Sequence, residues 1–501
     1  MGVLTMADRP LILLDYMVIA AFFAVMVGVG VYYSRKSKDS DQFFGGDKTM
    51  PWWLSGVSFY MCTFSALAFV MYSALGYKFG FLPITVSWIL VPAILIGAQC
   101  FAVRWRRVAT ASPLEYIELR FGNRMRQGLV WIGLPMRILD DSMKLLAIGT
   151  VVGVGLGFPI EAGIVASGVI VVFYTFLGGL KATLVADLIQ FFVLFAVVLA
   201  LPVFCLREVG GFANFVDGAP EGFFGLVAGK YTWYYMFISF VGTVINRATS
   251  WPLVQRYYST RSEKDAKRVG YLVAFLLFIG PPLFFFPAMA ARVFMPGLDM
   301  DDPNVMNGVY ALICKSVLPV GMIGMVVAAM FSATMSTLAG DYNSVSSVLT
   351  NDFYVRMLRP GASSGERMLV ARIGTLLAGS LVIALTFVMR TAQGADDLLN
   401  LTNKMFAVFV CPIALPMLAG FVIRRLSRRA GFCGLAVGMA VSLAAFVAGG
   451  WHPDLREMTV MTPISFAATV AGLWAGTLAF PDSPEERRTV EAFFRKAETP
   501  A

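Results

Sequence analysis

Histidine is almost missing from this sequence: His452, in a short loop beside Trp451, is the only one in 501 residues. Its scarcity argues against haem ligation, di-metal centres and histidine-driven catalysis within the membrane. Cysteine is used sparingly as well. Cys62, Cys100, Cys205, Cys314, Cys411 and Cys433 are scattered along apolar segments without CxxC pairing, so neither a zinc site nor a disulfide framework follows. Charged residues are only 14% of the chain, and the net charge of +9 is spread over short connections, not gathered in a patch with aromatics. Nucleic-acid binding is therefore not expected. No connection is long enough for a soluble catalytic domain, so no enzyme activity is expected. The first apolar span has no small-residue cleavage motif behind it and is expected to be retained.

What the chain has in abundance is apolar length. Hydrophobic residues make up 58%, including 42 Phe, and mean hydropathy is +0.73. The composition is that of an all-α integral membrane protein in a lipid bilayer. Apolar runs able to cross ~30 Å of hydrocarbon lie near 11–33, 52–76, 81–103, 128–155, 159–179, 184–206, 231–250, 269–295, 311–349, 367–390, 398–424, 430–450 and 460–480. That predicts roughly 13 transmembrane helices. Basic residues concentrate in every second connection, at 35–48, 104–126, 181, 256–268, 356–367 and 424–429, which places those connections in the cytoplasm. The others are short or acidic, as at Asp299, Asp301 and Asp302 or Asp396 and Asp397, and 207–230 is Gly-rich and nearly neutral. This predicts a multi-pass protein of the cell membrane, N-terminus outside and C-terminus cytoplasmic. The tail carries Val490, Phe493 and Phe494 on one helical face, fit to lie on the membrane surface or on cytoplasmic loops.

Two apolar spans contain hydroxyls among small residues. The first, Gly56 to Tyr77, reads GVSFYMCTFSALAFVMYSALGY, with Ser58, Thr63, Ser65 and Ser73. Such a mixture suits a broken membrane helix, whose freed backbone groups are tolerated only where they line a cavity or hold an ion. The second reads AAMFSATMSTLAGDYNS, with Ser336 and Thr337 adjacent. Carbonyls from one break and hydroxyls from the other span would form a neutral oxygen cage suited to sodium. The alternative is that these hydroxyls bond back to their own helices.

The leading span followed by DSDQFFGGDKTMPWWLSGVS, then SPLEYIELRFG, FLGGLKATLVADLIQ, and ATMSTL with NSVSSVLTNDFY resemble, in order and spacing, the sodium:solute symporter family. That family holds bacterial sodium/galactose, sodium/sialic acid and sodium/proline carriers and the human sodium/glucose transporters. The resemblance covers nearly the whole chain. It implies a core of two inverted five-helix repeats with a broken first core helix: a leading helix and cytoplasmic loop at 1–50, repeats at 51–206 and 231–425 flanking an external loop at 207–230, two peripheral helices at 426–480 and a cytoplasmic tail at 481–501. It also implies a sodium site made by the carbonyls of Met61, Phe64 and Ala333 and the hydroxyls of Ser336 and Thr337. A second sodium would use Asp187, but the hydroxyl positions that complete it in relatives are Ala339 and Gly340 here. Asp341, next in line, could compensate; otherwise one sodium per cycle is implied.

Intramembrane charges are functional candidates by default. Arg137, Asp140, Asp141 and Lys144 share one helical face, and can pair as Arg137 with Asp141 and Asp140 with Lys144 in a structural ladder. By resemblance, Arg137 instead binds a solute carboxylate, aided by Thr63 and Ser65, while Leu67 and Ala68 replace polar residues of the sugar carriers. Lys404 stands where those carriers have a glutamine, with pairing to Asp341 or Asp140 as its alternative. Arg247, near an inner gate or snorkelling to the interface, Asn246 and Ser87 complete the substrate candidates, with Trp88 and Phe59 as possible walls. The expected function is sodium-coupled symport of a small carboxylate-bearing solute: a sialic or other sugar acid, an organic acid or an amino acid. A neutral sugar or polyol carrier is the alternative, a transporter-like sensor a more distant one. Sodium and solute are the partners implied; no obligate protein partner is.

Overall fold

The structure is a computed structural model that describes residues 12–36, 48–108, 114–156, 159–300, 302–319, 321–392 and 398–499. Of the residues named above, 39–47, Ser112, Pro113, Asp301, Asp396 and Asp397 lie outside these. The chain opens with α1 (Leu13–Lys36), a bent pair α2 (Trp52–Met61) and α3 (Ala66–Phe79), then α4 (Leu82–Trp88) and α5 (Leu90–Cys100). Short α6 (Ala102–Val108) and α7 (Glu115–Phe121) lead into the long α8 (Asn123–Leu156) and α9 (Ile160–Val209). There follow α10 (Phe212–Gly218), α11 (Trp233–Arg247), α12 (Trp251–Tyr258), α13 (Glu263–Phe294), α14 (Pro303–Val317) and α15 (Met322–Ser347), which continues as a π-helix over Val348–Leu358. The last elements are α16 (Ser364–Ala392), α17 (Leu398–Val422), α18 (Ala430–Ala448), α19 (Met458–Ala479) and α20 (Pro484–Glu498).

Among the described residues, nine helices are long and apolar enough to cross a membrane, or ten if the bent pair α2–α3 is one span. The difference from the sequence count has three physical sources. Spans expected at 159–179 and 184–206 run together as α9, a 50-residue stretch interrupted at Gly179 (φ 61, ψ −169), a backbone conformation open chiefly to glycine. The expected span at 128–155 lies in α8, too charged for a hydropathy criterion because it carries Arg137, Asp140, Asp141 and Lys144. The span expected at 231–250 is only the 15-residue α11, followed after a break by α12 with Pro252 in its first turn. A second broken helix therefore accompanies the expected one.

The central element is α15, whose most apolar window is 89% buried. It packs against α1, α8, α9 and α16. Its start is fixed by α1: Asp15, 1% exposed, accepts from the Gly324 amide at 2.7 Å, a carboxylate placed where the helix dipole and free amides favour it. A Cβ at Gly324 would stand 2.5 Å from the Asp15 carbonyl oxygen, so only glycine permits this approach. At the other end of α8, Arg126 pairs with Asp352 of the π-helix and with Glu118 of α7, and Glu118 also pairs with Arg356.

Arg120, fully buried, donates to the carbonyls of Gly420, Ile423 and Leu426 at 3.2, 3.0 and 2.8 Å, capping the C-terminus of α17 with a cation. The tail forms α20, started by a Ser483–Glu486 capping box. Its expected apolar face, Val490, Phe493 and Phe494, is buried against α6 and α7, and Arg107 of α6 donates to the Ala497 carbonyl at 3.1 Å. Phe493→Ala removes about 3 kcal/mol of this packing. Hydrogen exchange across α20 is expected to rise by roughly a hundredfold, and unchanged protection would contradict the docking.

Candidate functional site

The bend between α2 and α3 is 59°, and residues 62–65 between them leave the helical path. Ser65 is extended (φ −147, ψ 171), and the backbone groups released there are taken up locally and by α15. The Thr63 hydroxyl bonds back to the Tyr60 carbonyl at 2.5 Å, as the structural alternative allowed. The first amide of α3, Ala66, donates to Thr334 Oγ1 at 2.9 Å. The single proton of Thr337 Oγ1 is shared between the Phe64 carbonyl at 2.5 Å and the Ala333 carbonyl at 3.1 Å. Cys62 Sγ lies 3.5 Å from the Ser336 carbonyl and 3.6 Å from its hydroxyl, while the Met61 carbonyl accepts from the Phe64 amide at 3.3 Å. All five residues of the expected oxygen cage thus converge where the break meets α15. Cys62 and Thr334, which hold the junction, were not anticipated; their spacing to the Ser-Thr pair carries no sequence motif.

Beside the junction lies a cavity of ≈ 310 Å³ between the two broken helices, reached by Thr63, Ser65, Ser87, Arg137, Asn246 and Arg247 from the candidate set. Leu67 and Ala68 give it apolar wall. Lys404 is half-buried, but its neighbours Thr402 and Asn403, not Lys404, line the cavity. Trp88 and Phe59 do not wall it either: Trp88 stacks on Phe278 and Phe59 packs on Tyr257. The aromatic walls come from Tyr72, Tyr235, Trp251 and Phe406. Ser87 turns its hydroxyl onto the Pro83 carbonyl at 2.7 Å, as helix-borne serines in apolar surroundings commonly do.

The charges pair differently from the expected ladder. Lys144 contacts Asp140 at 2.8 Å as expected, but also Asp141 at 2.9 Å and Asp341 at 2.9 Å. Arg137 pairs with Asp341, not with Asp141, and its guanidinium lies over Trp251 at 4.7 Å. The ladder is thus a knot joining α8 to α15, because Asp341 reaches both cations from the second helix. Ligand oxygens of Asp140, Asp141 and Asp341 lie within 4.8 Å of one another, and the cation between them is the Lys144 ammonium.

Asp187 belongs to a second cluster, which adjoins the junction through Ser336. Its carboxylate accepts from the Ser58 hydroxyl, Arg256 Nη2 stands 3.7 Å away with both side chains fully buried, and Arg256 Nε donates to Ser58 at 3.1 Å. This links α2, α9 and α12. A Cβ added at Gly340 would lie 3.4 Å from Arg256 Nη2. Arg256, absent from the candidate set, looked like one more cytoplasmic basic residue.

A family model, the sodium:solute symporter family, matches residues 43–438. The chain belongs to that family. Its members are transporters coupled to sodium, so the family places this chain among transporters. The sodium/sialic acid symporter SiaT of Proteus mirabilis is 25% identical over 488 residues, 93% of this chain and 96% of that protein. The sodium/glucose cotransporter of Vibrio parahaemolyticus is 26% identical over 415 residues, 75% of each. Among solved structures, the substrate-bound outward-open state of a Na+-coupled sialic acid symporter superposes with TM-score 0.82 at 22% identity, covering 93% of this chain and 98% of that one. It shares the fold.

Asp341 carries two cations, so removing it should cost more than any other carboxylate in the knot. Asp341→Asn is expected to destabilise by about 3–5 kcal/mol, since it strands Arg137 and weakens Lys144 inside the protein. Asp140, whose side chain is 34% exposed, should cost under about 1 kcal/mol as Asn. Thermal midpoints of the two variants check the order, and equal losses would contradict the pairing described.

Proposed function

We propose that this protein is a sodium-coupled symporter of the cell membrane that imports a small carboxylate-bearing solute by alternating access. The observation that carries the reading is the stitch of Thr337 to the Phe64 and Ala333 carbonyls, one oxygen from the break and one from α15 gathered by one hydroxyl. A sodium ion could take the same oxygens. Thr337 would turn its proton away and present its lone pairs, with Ser336 and the Met61 carbonyl completing the shell. All the ligands are neutral, which lets the ion leave on the far side.

The surroundings favour one sodium per cycle. Ala339 and Gly340 offer no side-chain oxygen, and Asp187 and Asp341 already face Arg256 and the Arg137–Lys144 pair. Two inverted repeats, 51–206 and 231–425, are supported by their openings: each begins with a helix broken beside the cavity, α2–α3 and α11–α12. The orientation, N-terminus outside and C-terminus cytoplasmic, rests on the basic connections.

An acidic solute is favoured by a cavity that contains Arg137, Lys144 and Arg247, and by the sialic acid carriers among the relatives. Sodium binding is expected to brace the broken helix against α15 and order the cavity, so that ion and solute raise each other's affinity. Ser336→Ala with Thr337→Ala removes both hydroxyl ligands and should abolish sodium-dependent uptake in proteoliposomes while the protein remains folded. Undiminished uptake would refute the assignment.

A further inference from the structure

We infer that Arg247, and not Arg137, grips the carboxylate of the solute. The inference rests on the acid-symport reading above and sharpens it to one residue. Around the cavity, formal charge balances: Arg137, Lys144 and Arg247 against Asp140, Asp141 and Asp341. The distribution does not. All three carboxylates are gathered around Lys144 and Arg137. An ammonium has three donors, and Lys144 meets a carboxylate with each. Arg137 is held by Asp341 and covered by Trp251.

Arg247 is the exception. It is the last residue of α11, at the break before α12, and it lines the cavity, yet among the described residues its side chain makes no hydrogen bond and no ion pair, and Asp140 and Asp341 act on it only from beyond contact. The α11 terminus supplies only the partial negative charge of its end carbonyls. The Ser65 hydroxyl and the Asn246 amide also reach the same cavity without a side-chain hydrogen bond among the described residues. A guanidinium at membrane depth without an anion is costly, and its planar fork matches a carboxylate. Sodium and a carboxylate arriving together would add no net charge, so the anion can settle on Arg247 while the knot stays intact. Arg137 then holds α8 to α15 and leaves the solute to the second broken helix, so the ligand bridges both breaks.

The test is sodium-dependent thermal stabilisation of the purified protein by three probes: N-acetylneuraminic acid, its methyl ester and pyruvate, with glucose as the neutral control. The wild type should respond to an acid and much less to the ester. Arg247→Gln should raise the half-saturating concentration of the acid roughly tenfold or more and erase the preference for acid over ester. Arg247→Lys keeps the charge without the fork, and should retain that preference with weaker binding. Arg137→Gln with Asp341→Asn removes an internal pair and should leave acid favoured over ester. Midpoints in sodium alone report the folding of each variant. Retention of the acid preference in Arg247→Gln overturns the assignment and leaves acid symport standing. A wild type stabilised by glucose and by neither acid overturns the acid reading beneath it.

Discussion

A helix can be interrupted inside hydrocarbon only if another element takes up the backbone groups it releases. Here that element is α15. Thr334 receives the first amide of α3, Thr337 meets the Phe64 carbonyl, and the Cys62 thiol reaches the Ser336 carbonyl. One turn further, Asp341 on the same helix anchors Arg137 and Lys144 of α8. Backbone satisfaction, charge neutralisation and the candidate ion ligands therefore lie on one helix face, and α15 must be buried almost throughout to serve them. Its own start is in turn pinned by Asp15 of α1. An ion that shares the oxygens of this junction gains a direct hold on the position of the broken helix.

Buried charge is handled by local pairing in two separate places. Arg256 answers Asp187 between α2, α9 and α12, and the Lys144 knot answers three carboxylates between α8 and α15. Each ties helices to one another, and each sets a fixed cation at a buried carboxylate. The junction itself is neutral, and its hydroxyls and carbonyls bind no proton near neutral pH.

Much of this was readable from sequence, for identifiable reasons. Hydropathy marks helices well because lipid leaves no other option for the backbone, and the break at 62–65 announced itself by hydroxyls between small residues. The second break, at 248–250, reads in the sequence as part of one span because Thr249 and Ser250 look like ordinary helix hydroxyls and Pro252 follows only two residues later. Charge pairing was the weakest inference. Helical spacing proposed Arg137 with Asp141, but spacing sees only one helix, and the stronger partner, Asp341, comes from a different one. The same limit hid Arg256, whose carboxylate lies 69 positions earlier in the chain, at Asp187. Lys404 was placed in the cavity by analogy of position; the helix turns Thr402 and Asn403 to it instead.

The central claim is that one ion at the α2–α3 break and an acid in the adjoining cavity stabilise each other. The most direct measurement is the thermal midpoint of the unmodified purified protein, titrated with sodium against potassium at constant ionic strength, with and without saturating acid. Ligands that bind only the folded state raise the midpoint. The account predicts a rise with sodium alone, a larger rise with acid, and an acid affinity that increases with sodium. Identical curves in sodium and potassium, or an acid affinity indifferent to the cation, would contradict it.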